Sequence, residues 1–192
     1  ASGLRSILRC DPDVIMVGEI RDRETAQIAV ESALTGHLVL STLHTNDAPG
    51  ALTRLTEMGV EPFLTASAVD CVIAQRLARK LCEYCKEAYQ PGQEALRDLG
   101  LTQEITGDWD GRTLFKATGC SRCSGTGYKG RMGLFEVMPV TEGIETLIVE
   151  RKSADEIGRK AQAEGMLGLR EDGLWKALRG LTTIEEISRV VR

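Results

Sequence analysis

In the first part of the chain, short apolar runs alternate with longer stretches in which apolar residues recur every third or fourth position. Val14-Ile15-Met16-Val17 is a continuous run rich in β-branched residues and predicts a parallel strand buried on both faces. From Asp22, which suits an N-cap, Ala26, Ala29, Val30, Ala33 and Leu34 share one helical face, and Gly36 ends the helix. His37 to Leu43 predicts a second strand, apolar in its middle. Strand, helix and strand make a βαβ unit with a right-handed crossover. Leu4 to Arg9 predicts a short helix ahead of it, closed by the turn Asp11-Pro12-Asp13.

Beyond the second strand, Asp47 caps a helix with Pro49 in its first turn and Ala48, Ala51, Leu52, Leu55 and Met58 as its stripe, ended by Gly59. Pro62 opens another helix in which Phe63, Leu64, Ala66, Ala68, Val69, Cys71, Val72 and Ile73 are apolar nearly all round, so burial is expected. Gln75 to Leu81 and Arg131 to Val140 predict two strands, the latter with Leu134, Glu136 and Met138 alternating against Phe135 and Val137. Four helices follow: Glu142 to Glu150, Ser153 to Glu164, Leu169 to Leu178 and Ile184 to Val191. Ser153-Ala154-Asp155-Glu156 is a capping-box pattern. Trp175, with Leu174 and Leu178, is the expected anchor of this bundle.

The composition fits a globular α/β chain of one or two domains, with 42% hydrophobic residues and a net charge of −4 from 28 acids against 24 Lys and Arg. The acidic balance and few aromatics argue against nucleic acid as a partner. No apolar run reaches the ~18 residues of a membrane helix and no secretory pattern opens the chain, so a cytoplasmic protein is expected. Its first residue is Ala and it enters mid-pattern, which reads as part of something longer.

Six cysteines change the picture. Cys82-Glu83-Tyr84-Cys85 and Cys120-Ser121-Arg122-Cys123 are two Cys-x-x-Cys pairs, and two such turns supply the four sulfurs of a tetrahedral structural Zn²⁺ site. The alternatives are two local disulfides, a redox motif or unrelated surface thiols; reduced cytosolic thiols favour the metal. Residues 86–119 between the pairs make a long gap, so the metal is expected to clasp an insertion, 82–127, carried on paired strands, with strand 128–140 returning to the core. Glu94 to Leu99 predicts a helix and Asp108 to Gly111 a turn inside it, and its few apolar residues give the physical reason for a metal. Arg79, Lys80, Lys86, Lys116 and Arg122 either offset the thiolate charge or form an ordinary solvated face. Cys10 and Cys71 read as small hydrophobes without partners.

In parallel strands joined by a crossover, both C-terminal ends lie at the sheet edge where α/β proteins bind ligands. Glu19 and His44 are therefore expected at one crevice. An acid after four apolar strand residues is the Walker B arrangement, in which a carboxylate serves a Mg²⁺-bound or attacking water beside a nucleotide's γ-phosphate. A capping or surface glutamate has the same local pattern. The chain's two histidines, His37 and His44, flank one strand, and packing or capping is the alternative for both. Gly125-Thr126-Gly127-Tyr128-Lys129-Gly130 is a literal G-x-G-x-x-G, but it leads toward a strand and is rejected as a phosphate loop.

Asp13 to Asp22 with Glu24-Thr25-Ala26, then Thr35-Gly36-His37 through His44-Thr45-Asn46, resemble the Walker B and histidine boxes of the secretion ATPase superfamily, the hexameric motors of type II secretion and type IV pilus assembly. The resemblance continues through Gly59-Val60-Glu61-Pro62-Phe63, Ala74-Gln75-Arg76-Leu77, the tetracysteine and Gly180 to Glu186. It implies a C-terminal portion of a RecA-like P-loop ATPase core at 1–81, a zinc insertion at 82–127 and a C-terminal helical subdomain at 141–192. The family's Walker A loop, aspartate box and N-terminal domains would precede residue 1, so the fragment alone is expected to be inactive. By resemblance, Glu19 and His44 are catalytic, Arg21 and His37 bind nucleotide, and Cys82, Cys85, Cys120 and Cys123 hold Zn²⁺. The alternative for Arg21 is an ion pair with Asp22 or Glu24. ATP, Mg²⁺, a homo-hexamer and an inner-membrane platform protein are the implied cofactors and partners. The tetracysteine resembles the assembly and secretion branches rather than retraction motors, and the second knuckle locally resembles DnaJ-type zinc centres. A zinc-dependent protein-interaction module without catalysis is the competing reading.

Overall fold

The computed structural model describes residues 1–91 and 113–191. The helix and turn expected at 94–99 and 108–111 lie outside them. By its contacts the chain divides into two units, residues 1–74 with 137–166 and residues 75–136 with 167–192. The α/β class is as expected.

The first unit is built on the predicted βαβ element. After α1 (Ser2–Leu8), β1 (Val14–Val17) pairs in parallel with β2 (Leu38–Ser41), Val14 opposite Leu38 and Val17 opposite Ser41, and α2 (Arg23–Leu34) connects them. Asp22 caps α2 by accepting the Thr25 N–H at 2.8 Å. Gly36, at φ +99°, supplies the left-handed residue that ends it.

Burial on both strand faces is not found. Ile15 is 2% exposed and packs with Leu4 of α1 and Ile28 of α2, whereas Val14, Met16, Leu38 and Leu40 are exposed. Alternate strand residues point to opposite faces, and among the described residues helices cover only one of them.

The helix α3 (Ala48–Glu57) is capped by Asp47 and buries Ala48, Ala51, Leu52 and Leu55. The expected long helix from Pro62 stops early: α4 is Pro62–Ala68, and Cys71 already belongs to β3 (Cys71–Leu81). Val69, Val72 and Ile73 are β-branched, stiff in a helix and suited to a strand, and the apolar run is a helix end joined to a strand start. Phe63 and Ile73 are accordingly exposed, and so are Cys10 and Cys71. Helices α5 (Glu142–Val149) and α6 (Ala154–Ala163) pack on α4 and α3 respectively, with the Ser153–Glu156 capping box formed at α6.

In the second unit β3 is the hydrogen-bonded neighbour of β6 (Tyr128–Pro139). The predicted alternation in β6 holds: Leu134, Glu136 and Met138 are buried, Phe135 and Val137 exposed. Between the two strands, β4 (Lys86–Tyr89) runs antiparallel to β5 (Leu114–Ala117). This hairpin draws its apolar support from α7 (Leu169–Leu178) and α8 (Ile184–Val190), through a cluster of Leu114, Leu174, Ala177, Ile184 and Ile187 with Tyr89 against it. Trp175 is not its anchor. It is 39% exposed, and Leu174 beside it fills the core instead. Among the described residues no helix is long and apolar enough to cross a membrane.

Candidate functional site

Glu19 sits just past β1, where two hydrogen bonds extend the strand pairing: Ile20 N–H to the Thr42 carbonyl at 3.0 Å, and the Thr42 hydroxyl to the Gly18 carbonyl at 2.7 Å. These clamp the residue after each strand and aim Glu19 and His44 into one crevice of about 260 Å³, lined also by Ile20, Arg21, Leu43, Arg54 and Met58. The Glu19 side chain is mostly buried. Its Oε2 accepts from Arg21 Nε at 2.5 Å, and its buried Oε1 makes no aligned hydrogen bond but faces His44 Nε2. A mostly buried carboxylate held by Arg21 on one oxygen and met by the His44 imidazole on the other, at the edge of a crevice, is placed to take a proton or orient a water.

Three of the four residues expected at this site meet there. Arg21 pairs with Glu19 rather than with Asp22 or Glu24; Glu24 is instead bound by Arg5 at 2.6 Å. His37 lies at the opposite end of β2, with Nδ1 3.0 Å from the Ser32 carbonyl and 3.2 Å from the Thr35 hydroxyl, both at the end of α2. Arg54, from α3, lines the crevice beside its partner Glu57 at 3.1 Å and was not singled out in the sequence. The available signal was its position on the helix that starts directly after His44.

The second constellation is the tetracysteine. The Sγ atoms of Cys82, Cys85, Cys120 and Cys123 all lie within 4.8 Å of one another. The separations are 3.9 Å for Cys82–Cys120 and 3.8 Å for both Cys85–Cys123 and Cys120–Cys123. Cys82 N–H donates to the Gly127 carbonyl at 3.0 Å, joining the two knuckles by backbone. Cys123 Sγ accepts from the N–H groups of Cys120 and Gly127, each at 3.2 Å. Burial pushes the Cys123 thiol up, but those two N–H groups outweigh it and hold the thiol down to about 6, whereas burial pushes Cys85 up to about 11. Gly127, at φ +74°, leaves no room for a side chain, since a Cβ there would stand 2.5 Å from that of Ala117.

The nearby cations are largely engaged elsewhere. Arg79 binds Glu186, Lys86 binds Glu83 at 2.7 Å, and Lys116 binds Glu87 at 3.2 Å. Arg122 alone of the five stacks on a knuckle residue, its guanidinium 3.8 Å from the Tyr84 ring centroid.

The fold matches solved ATPases. The Legionella pneumophila ATPase DotB superposes with a TM-score of 0.64 at 21% identity, over 97% of this chain and 40% of that one. A parallel βαβ edge holding an acid and a histidine, with a tetracysteine later in the chain, marks an α/β domain of the secretion ATPase class. The chain belongs to the Type II/IV secretion system protein family, whose pattern it matches over residues 1–189. It is 56% identical to the Type IV pilus assembly ATPase PilB of Thermus thermophilus over 97% of its length, covering 21% of that protein. It is 50% identical to the Type II secretion system protein E of Pseudomonas aeruginosa over 100% of its length, covering 37% of that protein.

Proposed function

We propose that the chain is the C-terminal part of a hexameric ATPase whose RecA-like core powers type II protein secretion or type IV pilus assembly. The observation that carries this reading is Glu19: a mostly buried carboxylate at the C-terminal edge of two parallel strands, paired with Arg21 through one oxygen and with the imidazole of His44 through the other. At such an edge the carboxylate orients the attacking water and draws its proton, while His44, far more exposed, reaches outward to the γ-phosphate. Arg21 holds Glu19 in place and brings positive charge to the nucleotide side, and His37 is the remaining nucleotide-contact candidate. Mg²⁺, when bound with ATP, would supply charge neutralisation for the phosphates, and Glu19 is the carboxylate that would serve it, directly or through water. The chain contains no Walker A loop, so by itself it is proposed to be inactive.

The four cysteines fit zinc. A tetrahedron of ~2.3 Å Zn–S bonds has sulfur–sulfur edges of about 3.8 Å, which the Cys82–Cys120, Cys85–Cys123 and Cys120–Cys123 separations of 3.8–3.9 Å match, and all four sulfurs stay within 4.8 Å of one another. Zinc, when bound, supplies a structural clasp of the two turns. The motor is proposed to act at the cytoplasmic side of the inner membrane against a platform protein.

Hydrolysis by the full-length protein and its Glu19→Gln variant tests the reading. The expected result is a loss of about 100-fold or more in kcat with ATP binding retained. An unchanged rate would remove Glu19 from the chemistry and leave the zinc-dependent interaction module as the better account.

A further inference from the structure

We infer that Tyr84 and Arg122 form a clasp that keeps the two cysteine turns closed and sets how fast a bound zinc ion escapes; the inference rests on the zinc reading above. Each occupies the third position of its Cys-x-x-Cys turn, and residues 86–119 separate the turns along the chain. The Arg122 guanidinium lies 3.8 Å from the Tyr84 ring centroid, well inside the ~6 Å reach of a cation–π contact. Cys85 and Cys123, the residues that directly follow the stacked pair, are themselves 3.8 Å apart at sulfur. The stack therefore bridges the turns next to that sulfur pair.

Access to the four sulfurs is uneven, with Cys82 and Cys123 buried and Cys85 and Cys120 partly exposed. A competing chelator reaches the site from the side of Cys85 and Cys120, and parting of the two turns opens it further. Cys82 N–H on the Gly127 carbonyl and the Thr118 hydroxyl on the Cys85 carbonyl hold the turns through main-chain acceptors. The stack is a further side-chain link, the one formed between the non-cysteine residues inside the two turns. Tyr84 is 65% exposed, so its ring serves no core. Among the described residues Arg122 makes no ion pair, so its cation is devoted to the ring.

Zinc transfer from the reduced full-length protein to the chromophoric chelator 4-(2-pyridylazo)resorcinol at pH 7 tests the clasp. Tyr84→Leu and Arg122→Gln are each expected to speed release about twofold to fivefold. The double variant should be no faster than the quicker single one, because both remove the same interaction. Tyr84→Phe, which keeps the ring, should match the wild type. Arg122→Lys retains the charge without the planar stack and should fall between wild type and Arg122→Gln. If Arg122 served only to offset thiolate charge, Arg122→Lys would match the wild type and Tyr84→Leu would be silent; that pattern overturns the clasp. A wild-type protein that holds no zinc removes the zinc reading and the clasp together. One zinc per chain with equal release rates in every variant removes the clasp alone.

Discussion

Arg79 and Glu186 stand 107 positions apart in sequence and are joined by three hydrogen bonds, from the Arg79 backbone N–H at 2.8 Å, Nε at 2.9 Å and Nη2 at 2.7 Å. Arg189 adds two more, from Nε at 2.8 Å and Nη2 at 2.6 Å, onto a carboxylate with no exposed surface. Burial by itself raises the Glu186 pKa, but the two guanidiniums and the N–H outweigh it and bring it from 4.5 down to about 2. The folded state therefore gains stability from this group that is fully present above pH 4.5 and is lost as pH falls toward about 2. Glu186→Gln should cost at most ~3 kcal/mol at neutral pH. It should also flatten the acid limb between those two values, read as urea midpoints against pH. A wild-type midpoint that stays constant across that range contradicts the assignment.

Asp47 caps α3 by accepting the Gly50 N–H at 2.8 Å, and that helix carries Arg54 into the crevice. Asp47→Ala should lower stability by ~1 kcal/mol, and Asp47→Ser should restore most of it. Gly50→Ala places a Cβ 2.6 Å from Asp47 Oδ1 and so displaces the same cap. The two changes should be clearly less than additive in thermal unfolding, since either one removes the shared hydrogen bond.

What was legible in the sequence was whatever local pattern decides. The βαβ element, the caps at Asp22, Asp47 and Ser153, the alternation in β6 and the four C-terminal helices follow from periodicity and side-chain chemistry within a few residues. The meeting of Glu19 with His44 was legible because parallel pairing puts both strand ends at one edge. The run from Pro62 to Ile73 predicts one helix because an apolar stretch carries no period; β3 is settled by its pairing with β6, far along the chain. Size alone points to Trp175 as an anchor, but the packing is decided by Leu114 of β5 meeting Ile184 and Ile187, a contact between distant segments that local pattern does not carry. Glu186 and Arg79 were invisible as a pair, because nothing in either segment announces a partner 107 positions away.

Gly119 and Gly130 both have positive φ, +98° and +80°, but only Gly119 is hemmed in, with a Cβ there 2.4 Å from the Gly125 carbonyl oxygen. Gly130→Ala should therefore cost only the ~1–2 kcal/mol of left-handed backbone strain and leave zinc content unchanged. Gly119→Ala forces the second cysteine turn open and should lower zinc well below one per chain by metal analysis. Equal zinc content in the two variants would show that the turn tolerates the clash.

His44 and His37 lie at opposite ends of β2, and their substitutions should separate accordingly. His44 Nε2 faces Glu19 in the crevice, so His44→Ala in the full-length protein should lower kcat by about 10²-fold while leaving the folded state intact. His37 Nδ1 rests on the Ser32 carbonyl, at the end of α2. Loss of that contact should lower the thermal midpoint by the few degrees that ~1 kcal/mol represents. A nucleotide contact by His37 would add a raised KM for ATP that the stability change does not produce. Measuring Tm, KM and kcat on both variants therefore assigns each histidine to one end of the strand by its chemistry: kcat alone for His44, Tm for His37, and KM for His37 only if it also touches the nucleotide.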